Sequence, residues 1–333
     1  ICGMVDIPQK QEQKPLVIDF INNGHLAIYG SSGTGKTTAV QSLVFALALK
    51  YSPQLFNLFV LDFGGGGLIN LSNTPHCVDY ATDSNEREVN NLLTKIDKII
   101  KHRRSLFSEN NCANYTSYVQ QGNKLPFMLV VLDNYSVFRE KMYKSEDLLV
   151  QLIASARSCG IYFVITGNSK GAIYYKVTDH ISNKIVFALN DSGAYRDILN
   201  VSTPIIPDNI RGRGLTVQNK TAVEMQIAVP FDCENETERT LRINAVYAEM
   251  ARLYKKADDS DFNCESEMDF TDLEDDNGFY STDIYEKRQM EPLVPVSQTS
   301  ALVFGNQVGS NQIQGFDITK SHRFFVSNPI NNG

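Results

Sequence analysis

Several things are missing from this 333-residue chain, and each absence removes a class of function. No apolar run approaches the roughly 18 residues that a membrane span needs, and the start carries no secretory leader. The six cysteines (Cys2, Cys77, Cys112, Cys159, Cys233, Cys264) are scattered, with no Cys-x-x-Cys and no histidine at metal-ligand spacing. That excludes a zinc site and a disulfide framework, and it points to reduced thiols in a cytosolic protein. A starting Met is also lacking, from which a piece of a longer chain is expected. Asp62-Phe63-Gly64 is not followed by the His-Arg-Asp loop of a protein kinase. Neither Asn183-Lys184-Ile185-Val186 nor Asn219-Lys220-Thr221-Ala222 supplies the Asp of a guanine-reading box. Bases are absent between Asp258 and Glu286, where twelve acids fall; without those twelve the net charge of −7 becomes about +5. The remainder is thus mildly basic, which argues neither for nor against nucleic acid.

What is present is organised around one stretch. The apolar run His25-Leu26-Ala27-Ile28-Tyr29 leads into Gly30-Ser31-Ser32-Gly33-Thr34-Gly35-Lys36-Thr37-Thr38, and a helix-period pattern (Val40, Leu43, Val44, Leu47) follows at once. Strand, glycine-rich loop and helix form the context in which Gly-x-x-x-x-Gly-Lys-Thr binds phosphate. Glycines let successive N–H groups converge on one point, and the positive end of the helix adds to them. Lys36 is expected on the β/γ-phosphate oxygens and the Thr37 hydroxyl on Mg²⁺, and the missing guanine box favours ATP.

The remaining pattern reads as an α/β domain. Strands are expected at Leu16–Phe20, Leu55–Asp62, Phe127–Asp133, Gly160–Thr166, Lys184–Leu189, Leu215–Val217 and Val223–Val229, with Gly212-Arg213-Gly214 as a bridging turn. Helices are expected over Glu86–Phe107, Asn110–Gln121, Asp147–Ser158 and Glu236–Lys256, and Lys101-His102-Arg103-Arg104 as a solvated basic helix end. Asp62 with its four following glycines is either an exit at the ligand-binding edge of the sheet or a plain turn. Asp133 ends a run of six apolar residues, as a Walker B carboxylate near Mg²⁺ does; an Asp that merely ends a strand is the alternative. Where hydrolysing RecA-like ATPases commonly place a Glu, Asn134 follows. An amide cannot take a proton from water at neutral pH, so the site is read as able to bind but not to turn over efficiently. Asn168 is a candidate phosphate sensor. Arg157, Arg211 and Arg213 are the candidate arginine fingers, each also readable as a structural arginine.

After Lys256 the composition changes. Residues 257–299 are acidic, Ser/Thr/Asn-rich and aperiodic, and read as a flexible linker. From 300 to 333 the entry recurs: Leu302-Val303-Phe304-Gly305, Phe316-Asp317-Ile318 and His322-Arg323-Phe324-Phe325-Val326-Ser327 echo Gly3, Ile18-Asp19-Phe20 and His25–Ser31. The expected organisation is an ATPase module over 1–256, the linker, and the beginning of a second, truncated module.

These residues resemble a known family. Gly3-x-Val5-Asp6-x-Pro8-x-x-Gln11-x-Gln13, the phosphate loop, Asp62-Phe63-Gly64, Thr74-Pro75-His76, Arg103-Arg104 with Tyr118, Asp133-Asn134, Arg157-Ser158-x-Gly160-Ile161 and Gly212-Arg213-Gly214 with Gln226 are similar to the FtsK-type ATPase domains of type VII secretion (EssC/EccC) proteins. The resemblance implies a RecA-like P-loop NTPase fold, with a mainly parallel central sheet flanked by helices, and ATP with Mg²⁺ as cofactors. It also implies a chain anchored at the cytoplasmic face of the membrane through a part not included here. Its partners would be other ATPase modules in series and small secreted helical-hairpin substrates recognised by a C-terminal signal. It leaves a homo-oligomer open. Downstream modules of that family often lack the Walker B Glu, which fits Asn134. Two other readings compete: an FtsK-type DNA translocase motor, which would want a Glu after Asp133 and a winged-helix domain, and a nucleotide-dependent scaffold without an export role. Nucleic acid is the disfavoured partner.

Overall fold

The computed structural model describes residues 2–7, 11–203, 205–258, 301–306 and 313–317. It divides into two units, 1–290 and 291–333. In the first, the strands are β1 (Gly3–Ile7), β2 (Glu12–Leu16), β3 (Leu26–Tyr29), β4 (Phe56–Asp62), β5 (Cys77–Thr82), β6 (Phe127–Asp133), β7 (Ile161–Gly167), β8 (Asn183–Phe187), β9 (Arg213–Gln218) and β10 (Thr221–Ile227). They form one ten-stranded sheet in the order β2-β1-β10-β9-β8-β3-β7-β6-β4-β5, and the α-helices ahead of β7 are α1 (Phe20–Asn23), α2 (Lys36–Lys50), α3 (Glu86–Glu109), α4 (Tyr115–Gln120), α5 (Tyr135–Lys141) and α6 (Glu146–Ala156). The six strands from β8 to β5 are mutually parallel, and the other four join antiparallel on one side.

The apolar runs explain why β4, β6 and β7 lie inside. Both faces of a parallel sheet are covered, so alternate side chains enter two different cores instead of alternating with solvent. Phe56, Leu58, Val60, Leu129, Val131, Tyr162 and Val164 face α2 (Lys36–Lys50). Phe59, Leu61, Val130, Leu132, Phe163 and Ile165 face α3 (Glu86–Glu109) and the later α6 (Glu146–Ala156). Each such side chain contributes about 1.5–3 kcal/mol by leaving water. In α2 every residue from Thr38 to Phe45 is buried. Its outer side is covered through Phe45 and Ala48 by Ile243 and Tyr247 of the closing helix Glu236–Asp258. A helix covered on both sides needs no polar stripe, and this one has none.

Three expectations are corrected. A strand over Leu16–Phe20 does not form: β2 ends at Leu16, and Asp19 caps a single helical turn, Phe20–Asn23, by accepting from the Asn22 backbone at 3.0 Å and its side chain at 2.6 Å. The Pro/Gln-rich lead instead supplies β1 and β2. Gly212-Arg213-Gly214 is a turn only in its first residue: Gly212 turns with φ 79°, and Arg213 and Gly214 already belong to β9, whose hairpin with β10 closes at Asn219-Lys220, both with positive φ (49° and 62°), as a two-residue turn of that hand requires. The basic end of α3 is not wholly solvated. Arg103 is fully buried and donates to the carbonyls of Cys159 and Pro126, both at 2.6 Å, clamping the chain where it enters β7 and β6.

The second unit contains an antiparallel pair, Ala301–Asn306 with Ile313–Asp317, irregular between Val303 and Gly305. His322–Ser327, on which the expected restart also rests, lies outside the described residues. Among the described residues, no helix is long and apolar enough to cross a membrane.

Candidate functional site

All the parallel strands point their carboxyl ends at one edge, where β3, β7, β6 and β4 stand side by side. Ligands in open α/β sheets bind along such an edge. Gly30 to Gly35 leave β3 there and turn into α2. Gly35 is the N-cap with φ 107°, and a Cβ on it would lie 3.0 Å from the Gly212 nitrogen, so both the backbone conformation and the neighbouring chain require glycine. The ends of the loop are tied down: Gly30 N–H donates to the Gly167 carbonyl (3.1 Å), Ser31 N–H to that of Ala188 (2.8 Å), and Gly212 N–H to that of Thr34 (2.8 Å). Two hydroxyls brace it further, Ser31 Oγ on Asn190 Oδ1 (3.1 Å) and Thr34 Oγ1 on the Ser31 carbonyl (2.8 Å). Between these anchors, the backbone N–H groups of Ser32, Gly33, Thr34 and Gly35 have no acceptor among the described residues. A rigid ring of unsatisfied donors at a helix N-terminus is the structural requirement for binding an anion.

Lys36 Nζ lies across this ring, donating to the carbonyls of Gly30 (2.7 Å) and Ser31 (3.0 Å). Burial holds its ammonium below the ordinary lysine range, and the Asp133 charge acts in the opposite direction. Thr37 follows in the first turn of α2. Thr38 is buried and accepts from Arg211 Nη2 at 3.4 Å, a contact that faces the loop from the β9 side.

Asp133 ends β6, one strand removed from β3, with β7 between them. It is 4 % exposed, and its Oδ1 accepts from Thr166 Oγ1 of β7 at 2.5 Å. Burial pushes its carboxyl above the ordinary range; the Asp62 charge adds to this, while the Thr166 hydrogen bond and Lys36 oppose it. A buried carboxylate next to a second one is a place where a cation relieves an electrostatic cost. Thr37 and Asp133 offer hard oxygen donors, the set that suits Mg²⁺ when phosphate and water complete the shell. The residues therefore fit the ion the sequence implied.

Asn134 takes a left-handed conformation, φ 61°. Its N–H donates to Thr166 Oγ1 (2.8 Å), its Nδ2 to the Phe63 carbonyl (3.3 Å), and its Oδ1 accepts from Asn168 Nδ2 at 3.5 Å. Asn168 is thus at the site edge. Of the arginines, Arg157 donates to the Asn22 carbonyl (2.6 Å) at the opposite, amino-terminal end of the sheet, and Arg213 pairs with Glu224 and Asp208, each at 3.5 Å. Arg211 alone of the three reaches the loop, while paired with Glu236 at 2.8 Å.

One participant was not singled out from sequence, and a second was left with two readings. Thr166 is a polar residue closing the buried run Tyr-Phe-Val-Ile, and that position was its signal. Asp62, left open above, aligns directly with Asp133 across β4 and β6 and is 1 % exposed. Its Oδ1 accepts from the N–H groups of Gly64 (3.0 Å) and Gly66 (3.4 Å), its Oδ2 from Leu68 N–H (2.9 Å) and the Tyr80 hydroxyl (3.0 Å). The second glycine loop therefore turns its donors inward and is no phosphate cradle. It still lies at the site, against both Asp133 and Thr37.

Residues 2–194 match the model of the FtsK/SpoIIIE family. The chain is 27 % identical over 255 residues to the type VII secretion system protein EssC of Staphylococcus aureus strain MRSA252, covering 76 % of this chain and 17 % of that protein. The ESX secretion system protein EccC of Geobacillus thermodenitrificans is 29 % identical over 252 residues, 75 % of this chain and again 17 % of the relative. The chain thus spans about a sixth of the length of these relatives. Among solved structures, EssC (ATPases 2 and 3) from Geobacillus thermodenitrificans superposes with a TM-score of 0.72 at 27 % identity, covering 77 % of this chain and 49 % of that one. Thermomonospora curvata EccC (ATPases 2 and 3), solved in complex with a signal sequence peptide, gives 0.66 at 25 % identity over 75 % and 46 %.

Proposed function

The chain belongs to the FtsK/SpoIIIE family, and from that premise we propose that it is an ATP-binding module of a type VII secretion ATPase, holding Mg·ATP with little turnover. The observation that carries this reading is the ring of unpaired N–H groups from Ser32 to Gly35, with Lys36 behind it and Asp133 opposite. Lys36 would be the group that meets the β/γ-phosphate oxygens, and Thr37 and Asp133 would hold Mg²⁺, which would supply charge to offset that of the phosphates. Thr166 keeps Asp133 oriented. At the position of the usual base, Asn134 is engaged through its amide with Phe63 and Asn168. It can hold a water by hydrogen bonding and cannot deprotonate it.

In this reading the module works in series with other ATPase modules. The antiparallel pair in the second unit supports that, since it repeats the kind of hairpin that β1 and β2 make. Small secreted helical hairpins are the proposed cargo, recognised by a C-terminal signal, supported by the EccC relative solved with a signal sequence peptide. The proposed location is the cytoplasmic face of the membrane.

The test is ATP calorimetry beside steady-state hydrolysis on the unaltered chain, Lys36→Ala and Asn134→Glu. The expected result is Mg·ATP binding that Lys36→Ala abolishes, negligible turnover, and turnover gained in Asn134→Glu. Brisk hydrolysis by the unaltered chain, stimulated by duplex DNA, would overturn the reading in favour of a translocase motor.

A further inference from the structure

A second residue beneath the metal position has a definable task. Asp62 sits on the strand next to Asp133 in direct register, 1 % exposed, and a carboxylate so placed is stable only when its oxygens are hydrogen-bonded. Both oxygens are filled, by three backbone N–H groups and the Tyr80 hydroxyl. Asp62 is therefore committed to folding residues 64–67 back over the edge of the sheet.

That fold-back brings one loop against both metal ligands. A Cβ on Gly64 would lie 2.0 Å from Asp133 Oδ2 and 3.0 Å from its Cγ, so the Gly64 backbone stands directly against the carboxylate. A Cβ on Gly67 would lie 3.0 Å from Thr37 Cγ2 and 3.8 Å from its hydroxyl, and the Gly67 carbonyl accepts from Gln41 of α2 at 2.9 Å. Asp133 is thus fixed on two sides, by Thr166 on Oδ1 and by Gly64 beside Oδ2. Mg²⁺ demands near-ideal octahedral geometry, so the direction of the carboxylate it meets controls affinity.

We infer that Asp62 is a positioning residue for the metal: by tethering the Gly64–Gly67 loop it holds Asp133 and Thr37 in the orientation that receives Mg²⁺, and Gly64 is glycine because any side chain would displace the carboxylate. This rests on the Mg·ATP reading above.

The test uses a fluorescent ATP analogue, titrated with Mg²⁺ and separately in EDTA, on the unaltered chain, Asp62→Asn and Gly64→Ala. Gly64 lies outside the left-handed region, so Gly64→Ala adds a methyl group without backbone strain. Both variants are expected to need at least about tenfold more Mg²⁺ at the midpoint, the scale of outer-shell substitutions, with metal-free nucleotide affinity unchanged. In an Asp133→Ala background, Gly64→Ala is expected to shift the midpoint no further. Unaltered Mg²⁺ midpoints in both variants, or a further shift without Asp133, would overturn the inference while leaving nucleotide binding intact. Failure of the unaltered chain to bind the analogue in either condition would instead overturn the reading beneath it.

Discussion

The two ends of the central sheet treat buried polar groups in opposite ways. At the amino-terminal end the buried imidazole of His25 and the buried guanidinium of Arg103 both find backbone partners. His25, 1 % exposed, accepts from Phe163 N–H on Nδ1 (3.0 Å), which places its proton on Nε2, donating to the Ile153 carbonyl (2.9 Å). Arg103 and Arg157 each donate to carbonyls just ahead of β6, β7 and β3. At the carboxyl-terminal end, donors in the first glycine loop stand unpaired, Lys36 rests on carbonyls of its own loop, and Asp133 is buried beside another carboxylate. The matched end contributes stability. The unmatched end leaves donors and charge that a bound anion and cation would complete.

Substitutions can break that contrast, and the strongest is at the matched end. Arg103→Ala leaves two buried carbonyls without their charged donor and opens a cavity. It is expected to cost about 3 kcal/mol in urea denaturation, with ATP affinity of the folded fraction intact. Lys36→Ala should do the reverse, weakening ATP by at least about a hundredfold, or about 2.7 kcal/mol, with the melting temperature barely moved; calorimetry and thermal melts on one sample check both.

Acid should act through the matched end as well. Burial, chiefly, lowers the His25 pKa to about 4, below the ordinary 6.5. A base held neutral by the fold contributes stability above its unfolded pKa and loses it as pH falls from 6.5 toward 4. Urea midpoints at pH 7 and pH 5 should differ by about 2 kcal/mol from this residue. The pH 5 loss should shrink in His25→Gln, measured against its own pH 7 value.

The smallest effect sharpens the comparison at the unmatched end. The fold raises the Asp133 pKa, so its charge is destabilising at neutral pH in the absence of a cation. Asp133→Asn is expected to raise ligand-free stability slightly, while nucleotide binding comes to need more Mg²⁺ at its midpoint. A loss of stability instead would mean the carboxylate is matched after all.

The two glycine loops show how far sequence reaches. Gly30 to Lys36 could be read directly, because a phosphate loop is local: strand, glycines and helix are contiguous, and backbone geometry alone aims the donors. Asp62 to Gly67 is just as glycine-rich and lies at the same edge, yet its donors turn inward. Nothing within the segment says so; the outcome depends on Asp62 being carried into the interior beside β6. Arg103 teaches the same lesson, since a basic helix end reads as solvated until β6 and β7 bring two carbonyls beneath it.

By itself, then, the sequence determined the glycine-rich loop between β3 and α2, the buried parallel strands and the carboxylate at the tip of Phe127–Asp133, because these are encoded in runs of neighbouring residues. Only the tertiary structure decided that the lead pairs as β1 and β2 on the antiparallel side, that Gly212 braces the phosphate loop, that Thr166 orients Asp133, and that Asp62 serves the loop instead of the ligand. Each of these joins residues more than ten positions apart or turns on which neighbour a strand acquires. A hydrogen bond of that kind exists only once the sheet order has put donor and acceptor within reach.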